Sequence, residues 1–266
     1  MKVKGTLRKM DVNLDKVVRY SLNLNKEIGP GINECLGKKF KMEWTGQINC
    51  IATGKSIKKT FGQGFSYDAF MNSPLTSPCI IRPELCEAHL GKGRDVEWEE
   101  KYHNKPHYVY LAQTSEIKVG VTRTTNVPSR WIDQGAWRAV VIAEVPYRQL
   151  AGLIEVELKQ YLSDRTDWRK MLTNQISSDD LSEVRDEMIS FFPDSFRQYA
   201  VADSEIRELI YPVMNYPDKV RSINLENEKT VEGILTGIRG QYLYFDETRV
   251  INLRKYSGYQ VGFECQ

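Results

Sequence analysis

Tyr108-Val109-Tyr110-Leu111-Ala112, then Ile117-Lys118-Val119-Gly120-Val121-Thr122, then Pro128-Ser129-Arg130-Trp131-Ile132-Asp133-Gln134-Gly135-Ala136: the reading of these three runs decides the fold. The first two are short, apolar and rich in aromatic and β-branched residues. With the polar Gln113-Thr114-Ser115-Glu116 between them they predict a β-hairpin. A helix is expected next, capped by the side chain of Asn126, with Pro128 near its first turn, where a missing N–H costs least. Arg130 then projects from the first turns of that helix toward the hairpin. Trp137-Arg138-Ala139-Val140-Val141-Ile142-Ala143-Glu144-Val145 is almost continuously apolar and predicts a third, mostly buried strand. A second helix is expected from Arg148 to Leu162, with Leu150, Ile154, Leu158 and Leu162 as its core stripe. Glu155 falls at the margin of that stripe and Glu157 on the other side.

On either side of this module the pattern changes. Val17–Leu24 and Phe40–Trp44 alternate with a period of two, broken by Gly29-Pro30-Gly31, as half-buried antiparallel strands do. Val231–Ile238, Gln241–Phe245 and Val250–Leu253 return to strand character near the C-terminus, with closely spaced glycines that suggest bends or bulges. Between the module and those strands, from Ser178 to about Asn215, Leu181, Val184, Met188, Ile206, Leu209 and Ile210 are spaced for helices limited by Pro193 and Pro212. The expected class is α+β. A small central antiparallel sheet with flanking helices (residues 105–176) lies between an N-terminal β-rich lobe (1–104) and a helical segment with a C-terminal β lobe (177–266). A single β-lobe built from both chain ends is compatible with the same pattern.

A chain of 266 residues with 41% hydrophobic and 27% charged residues buries a sizeable core. No apolar run approaches the roughly 20 residues that cross a bilayer, and Met1-Lys2-Val3-Lys4-Gly5 has no apolar signal core, so a cytoplasmic protein without a membrane partner is expected. The net charge of +2 neither requires nor excludes a polyanion. Local charge is more telling: Lys118, Arg123, Arg130 and Arg138 make the central module basic, whereas Asp179 to Glu208 is mostly acidic. This asymmetry suits a nucleic-acid face on one lobe, or simply a solvated surface.

Five cysteines, an odd number at irregular spacing, argue for reduced thiols. Periodicity fades from Cys50 to about Trp98. There Cys79, Cys86 and His89 lie close together, with Cys50 upstream. Zinc held by thiolate and imidazole can organise a stretch that lacks apolar residues for its own core. The two close Cys pairs of a strong zinc signal are absent, and the other reading makes Cys79 and Cys86 small buried residues.

The order Tyr108-Val109-Tyr110, Lys118-Val119-Gly120, Arg130, Glu155 resembles the GIY-YIG endonuclease superfamily, where two tripeptides on adjacent strands precede an arginine on one helix and a glutamate on a later one. The first tripeptide lacks the leading glycine, and Lys118 replaces the tyrosine of the second. Tyr-Leu-Ala, Lys-Val-Gly and Arg-Trp-Ile-Asp-Gln-Gly-Ala together resemble an uncharacterised prokaryotic family, domain of unknown function 2797, over nearly the full length. This second resemblance implies further cysteines where the chain has Thr53, Ser66, Ala69, Ser77 and Gly93, and hence a degenerate zinc-supported lobe.

The first resemblance implies phosphodiester chemistry. Tyr110 would act at a nucleophilic water, Arg130 would hold the phosphate, Glu155 would bind one Mg²⁺ and Lys118 would share proton transfer with a lowered pKa. Asn174 is a looser candidate. The expected function is a protein that engages DNA or RNA through Lys118, Arg123, Arg130 and Arg138, with Mg-dependent hydrolysis as its enzymatic form. The alternatives are a non-catalytic nucleic-acid binder and a protein-interaction module using Trp44, Trp98 and Trp137. Tyr108 and Tyr110 also suit a plain core, and Arg130 suits packing over the Trp131 indole. A pairing of Glu155 with Lys159 is given no weight.

Overall fold

Alternating sequence at both ends of the chain is resolved by one shared sheet. The structure, a computed structural model, describes every residue from Met1 to Gln266. It divides into two compact units, each discontinuous in sequence: Met1–Met71, Leu172–Asn174 and Ile210–Gln266 form the first, Asn72–Met171 and Gln175–Leu209 the second. The expected boundary at 104/105 falls inside the second unit. No helix is long and apolar enough to cross a membrane.

The first unit begins with β1 (Lys2–Thr6), β2 (Asp11–Asn13), β3 (Arg19–Leu24), β4 (Glu27–Gly31), β5 (Lys39–Asn49) and the two-residue β6 (Ser56–Ile57), followed by the short helix α1 (Tyr67–Asn72). Strands β2, β3 and β4 form a small sheet of their own. In β3 the period of two is literal: Tyr20, Leu22 and Leu24 are buried while Arg19 is exposed.

The second unit contains α2 (Val96–Tyr102), β7 (His107–Gln113), β8 (Ile117–Arg123), α3 (Ser129–Asp133), β9 (Arg138–Val145), α4 (Arg148–Leu158), α5 (Trp168–Leu172, its last residue counted with the first unit), α6 (Leu181–Ser190) and β10 (Arg207–Glu208). The hairpin and third strand expected from sequence form an antiparallel sheet in the order β10-β9-β7-β8, with β7 central. Val109, Leu111, Ile117, Val119, Val140 and Ile142 pack on Leu150, Ala151, Ile154 and Leu158 of α4 and on Leu181 and Met188 of α6. Burying these apolar side chains, each worth about 1.5–3 kcal/mol, is the main force holding this unit together.

Two local expectations change. Asn126 does not cap α3; it lies in a separate 3-10 turn, Thr124–Asn126, and Pro128 itself occupies the N-cap position. The segment beyond α6 is not helical. After a 3-10 turn at Arg197–Tyr199, it pairs with β9 through β10, and the Leu209 N–H donates to the Trp137 carbonyl at 2.8 Å. The open edge of β9 offers those backbone groups partners, which outweighs the helical spacing of Ile206 and Leu209.

The chain closes in the first unit with β11 (Arg221–Ser222), β12 (Thr230–Arg239), β13 (Tyr242–Phe245), β14 (Arg249–Asn252) and β15 (Tyr259–Cys265). These join the N-terminal strands in an eight-stranded sheet of order β1-β15-β5-β12-β13-β14-β11, with β6 alongside β5. A register shift between Leu235 and Gly237 in the β12–β13 pairing places a bulge at one of the expected glycines. In β15 Tyr259, Val261, Phe263 and Cys265 all point inward, and the Phe263 ring lies 5.8 Å from that of Phe40.

Candidate functional site

Two groups of chemically active side chains occur in the second unit. The first gathers at the β7–β8 hairpin. Tyr110 of β7 lies opposite Gly120 of β8, and a Cβ on that glycine would sit 2.6 Å from the Tyr110 hydroxyl. The glycine of Lys118-Val119-Gly120 therefore gives the tyrosine ring room to cross the neighbouring strand. That ring meets the Trp131 indole of α3 edge-on at 6.0 Å, and its hydroxyl donates to Gln134 Oε1 at 3.0 Å. Tyr110 has 0% of its surface exposed, Lys118 5% and Glu155 7%; Arg130 is half-buried.

These groups sense one another. Burial pushes the Tyr110 hydroxyl pKa up against the opposing effect of the Arg130 guanidinium, and Arg130 is held charged chiefly by Tyr110. Burial, with Arg130 adding repulsion, brings the Lys118 ammonium down to about 8. Burial raises the Glu155 carboxyl, opposed mainly by Lys159. The Glu155–Lys159 pair, discounted above, forms at 3.3 Å, and the same ammonium reaches Asp164 at 3.2 Å. The segment after α4 runs along the edge of β8, where the Val119 N–H donates to Ser163 O at 3.1 Å.

The other expected residues lie elsewhere. Arg123 and Arg138 sit at opposite ends of β7, opposite His107 and Gln113 respectively. Arg123 packs over the Tyr102 ring at 4.8 Å, while Arg138 pairs with Glu208 at 2.8 Å and lies 4.0 Å over the Trp137 indole. Asn174 belongs to the first unit, where it accepts a hydrogen bond from Arg239 at 2.8 Å.

The second group forms where periodicity fades. Cys79 and Cys86 come from 3-10 turns at Pro78–Ile80 and just after Pro83–Leu85. Glu99 of α2 and His103, the C-cap of that helix, lie one helical turn apart, and the helix is N-capped by Asp95, whose carboxylate accepts from the Trp98 N–H. The four ligand atoms lie within 4.8 Å of one another and all four residues are buried, so the cluster could hold a metal ion. His103 Nδ1 is 2.7 Å from Glu99 Oε2, 3.5 Å from Cys86 Sγ and 3.8 Å from Cys79 Sγ. Within the thiol pair, the hydrogen bond from Cys79 pulls Cys86 down to about 4 and raises Cys79 in turn.

Of the four zinc candidates read from sequence, only Cys79 and Cys86 are in this cluster. Cys50 belongs to the first unit, where Ser66 N–H donates to its sulfur at 3.2 Å. There, hydrogen bonds from Thr53 and Ser66 outweigh burial and bring its thiol to about 6. His89 stacks on Tyr147 at 4.3 Å instead. Glu99 and His103 were missed because Glu-x-x-x-His converges only on a helix, and the sole early signal of that helix was Asp95 ahead of Trp98.

A family model described as "Protein of unknown function (DUF2797)" matches residues 37–261, which span both units. No curated protein and no solved structure matches the chain.

Proposed function

Because the chain belongs to the family described as "Protein of unknown function (DUF2797)", defined without an activity, we propose its function from its own side chains: a GIY-YIG-like module in the second unit engages nucleic acid through its phosphates, with Lys118 and Arg130 as contacts. One observation carries this reading. Tyr110, Lys118, Arg130 and Glu155 arrive from β7, β8, α3 and α4 and form one electrostatic group. The element order of hairpin, arginine-bearing helix, third strand and glutamate-bearing helix agrees with what the resemblance implies. Two cations that repel each other in a desolvated setting are relieved by a phosphate oxygen between them.

Binding is favoured over cutting. A tyrosine acting at a nucleophilic water needs access to that water, and Tyr110 is sealed, with its hydroxyl committed to Gln134. Hydrolysis is the second reading, and the observation in its favour is Lys118: at about 8 its pKa lies near that of an effective general base at neutral pH. In that reading Glu155 exchanges Lys159 for Mg²⁺, a hard cation suited to a single carboxylate with retained waters.

The test is anisotropy with labelled single- and double-stranded DNA and RNA over a salt series, with and without Mg²⁺. Expected is metal-independent binding in which Arg130→Ala weakens affinity for all sequences alike and lowers the salt slope by about one. Mg-dependent nicking that disappears in Glu155→Gln would replace this reading by the hydrolytic one. Failure to bind any of the four at low salt would leave the interaction module.

A further inference from the structure

We propose that Cys79, Cys86, Glu99 and His103 bind one zinc ion as a closed, four-ligand structural site. The inference is independent of nucleic-acid engagement and uses none of its residues.

Donor chemistry comes first. Two thiolates and an imidazole favour zinc among the abundant divalent cations, and a carboxylate completes a shell with one net negative charge; Mg²⁺ and Ca²⁺ take oxygen ligands. Geometry agrees. Around a tetrahedral zinc with ordinary bond lengths, sulfur and nitrogen ligands lie about 3.5 Å apart, and the two sulfurs here lie 3.5 and 3.8 Å from His103 Nδ1. Glu99 Oε2 is 4.0 Å from Cys79 Sγ. Its 2.7 Å approach to His103 is a hydrogen-bond distance, which opens by about 0.7 Å when both atoms turn to a shared ion.

The surroundings hold the ligands in place. Glu99 has a second oxygen 3.3 Å from the Ser77 hydroxyl, and a Cβ on Gly93 would lie 2.6 Å from its carboxyl carbon, so the carboxylate fills the space that glycine leaves. Arg148 joins the two halves of the cluster. Its guanidinium donates to the Cys79 carbonyl at 2.9 and 3.1 Å, and its backbone N–H donates to the His103 carbonyl at 3.0 Å. Outer-shell bonds of this kind fix ligand orientation in metal sites.

An independent observation points the same way. In the 3-10 turns before α2, Cys79, Cys86 and Ala88 form a small buried apolar cluster, while Leu75, Ile80, Ile81, Leu85 and Leu90 are exposed. Three small side chains offset little of the conformational entropy of ordering consecutive 3-10 turns. A metal that ties two of those turns to α2 supplies the missing folding energy. With four protein ligands no position stays open for substrate, so the ion's role is structural.

The test uses the full chain. Elemental analysis of protein purified without chelator is expected to give one zinc per chain. Cys86→Ser and His103→Ala are expected to lose it, while Cys50→Ser and His89→Ala keep it. To separate loss of metal from loss of folding in the first two variants, Co²⁺ is also titrated into metal-free wild-type protein. Tetrahedral d–d bands with thiolate charge-transfer absorption are expected. Zinc well below stoichiometric together with an octahedral cobalt spectrum would overturn the proposal, as would zinc retained in a folded Cys86→Ser or lost in Cys50→Ser.

Discussion

Lys118 shows how one side chain links fold and site. Its neighbours Val119 and Ile117 belong to the core, yet its own ammonium is almost fully desolvated and repelled by the charge of Arg130. A lysine whose pKa is depressed to about 8 in the fold, against 10.5 when unfolded, makes the folded state bind fewer protons between those values. Stability therefore rises with pH across that window, and below it the charged form costs on the order of 3 kcal/mol. Lys118→Met is expected to be the more stable protein at neutral pH and to lose most of that rise. Urea midpoints of both proteins at about pH 7.5 and 9.5 check this, and equal pH dependence in the two would refute it.

At the scale of elements, the sequence spacing of α4 was nearly sufficient. Leu150, Ile154 and Leu158 form the expected stripe, and Glu155 flanks it, although the helix ends at Leu158 rather than Leu162. The spacing did not disclose what Gly152 does. A Cβ there would sit 2.2 Å from Glu84 N and 2.4 Å from the Pro83 carbonyl carbon, because the 3-10 turn of the cysteine segment lies directly on the helix backbone. Gly→Ala in a helix interior ordinarily gains up to about 1 kcal/mol. Here overpacking against backbone, about 1–3 kcal/mol, exceeds that gain. Gly152→Ala is expected to lower the melting temperature and to increase proteolysis within residues 73–95. A higher melting temperature with unchanged cleavage would show the turn free to move aside.

At the scale of the whole molecule, the sheet that unites the chain ends depends on β15. That strand pairs β1 on one side and β5 on the other, and Phe263 is 1% exposed among Phe40 and its neighbours. Phe263→Ala is expected to cost about 3–5 kcal/mol and to accelerate amide exchange in β1, β5 and β15. A loss below about 1 kcal/mol would mean that the site collapses around the cavity.

The sequence by itself determined the strands and helices whose apolar residues repeat with one clear period: β3, the β7–β8 hairpin, β9 and the core face of α4. In these cases the side chains that pack are neighbours along one element, so spacing carries the information. Only the tertiary structure decided which residues from different elements meet. It paired β1 with β15, turned the segment after α6 from expected helix into an edge strand, sent Cys50 and His89 away from Cys79 and Cys86, and put Glu99 and His103 in their place. Long-range pairing is set by which open backbone edges and buried polar groups find partners, and no local pattern of residue types records that choice.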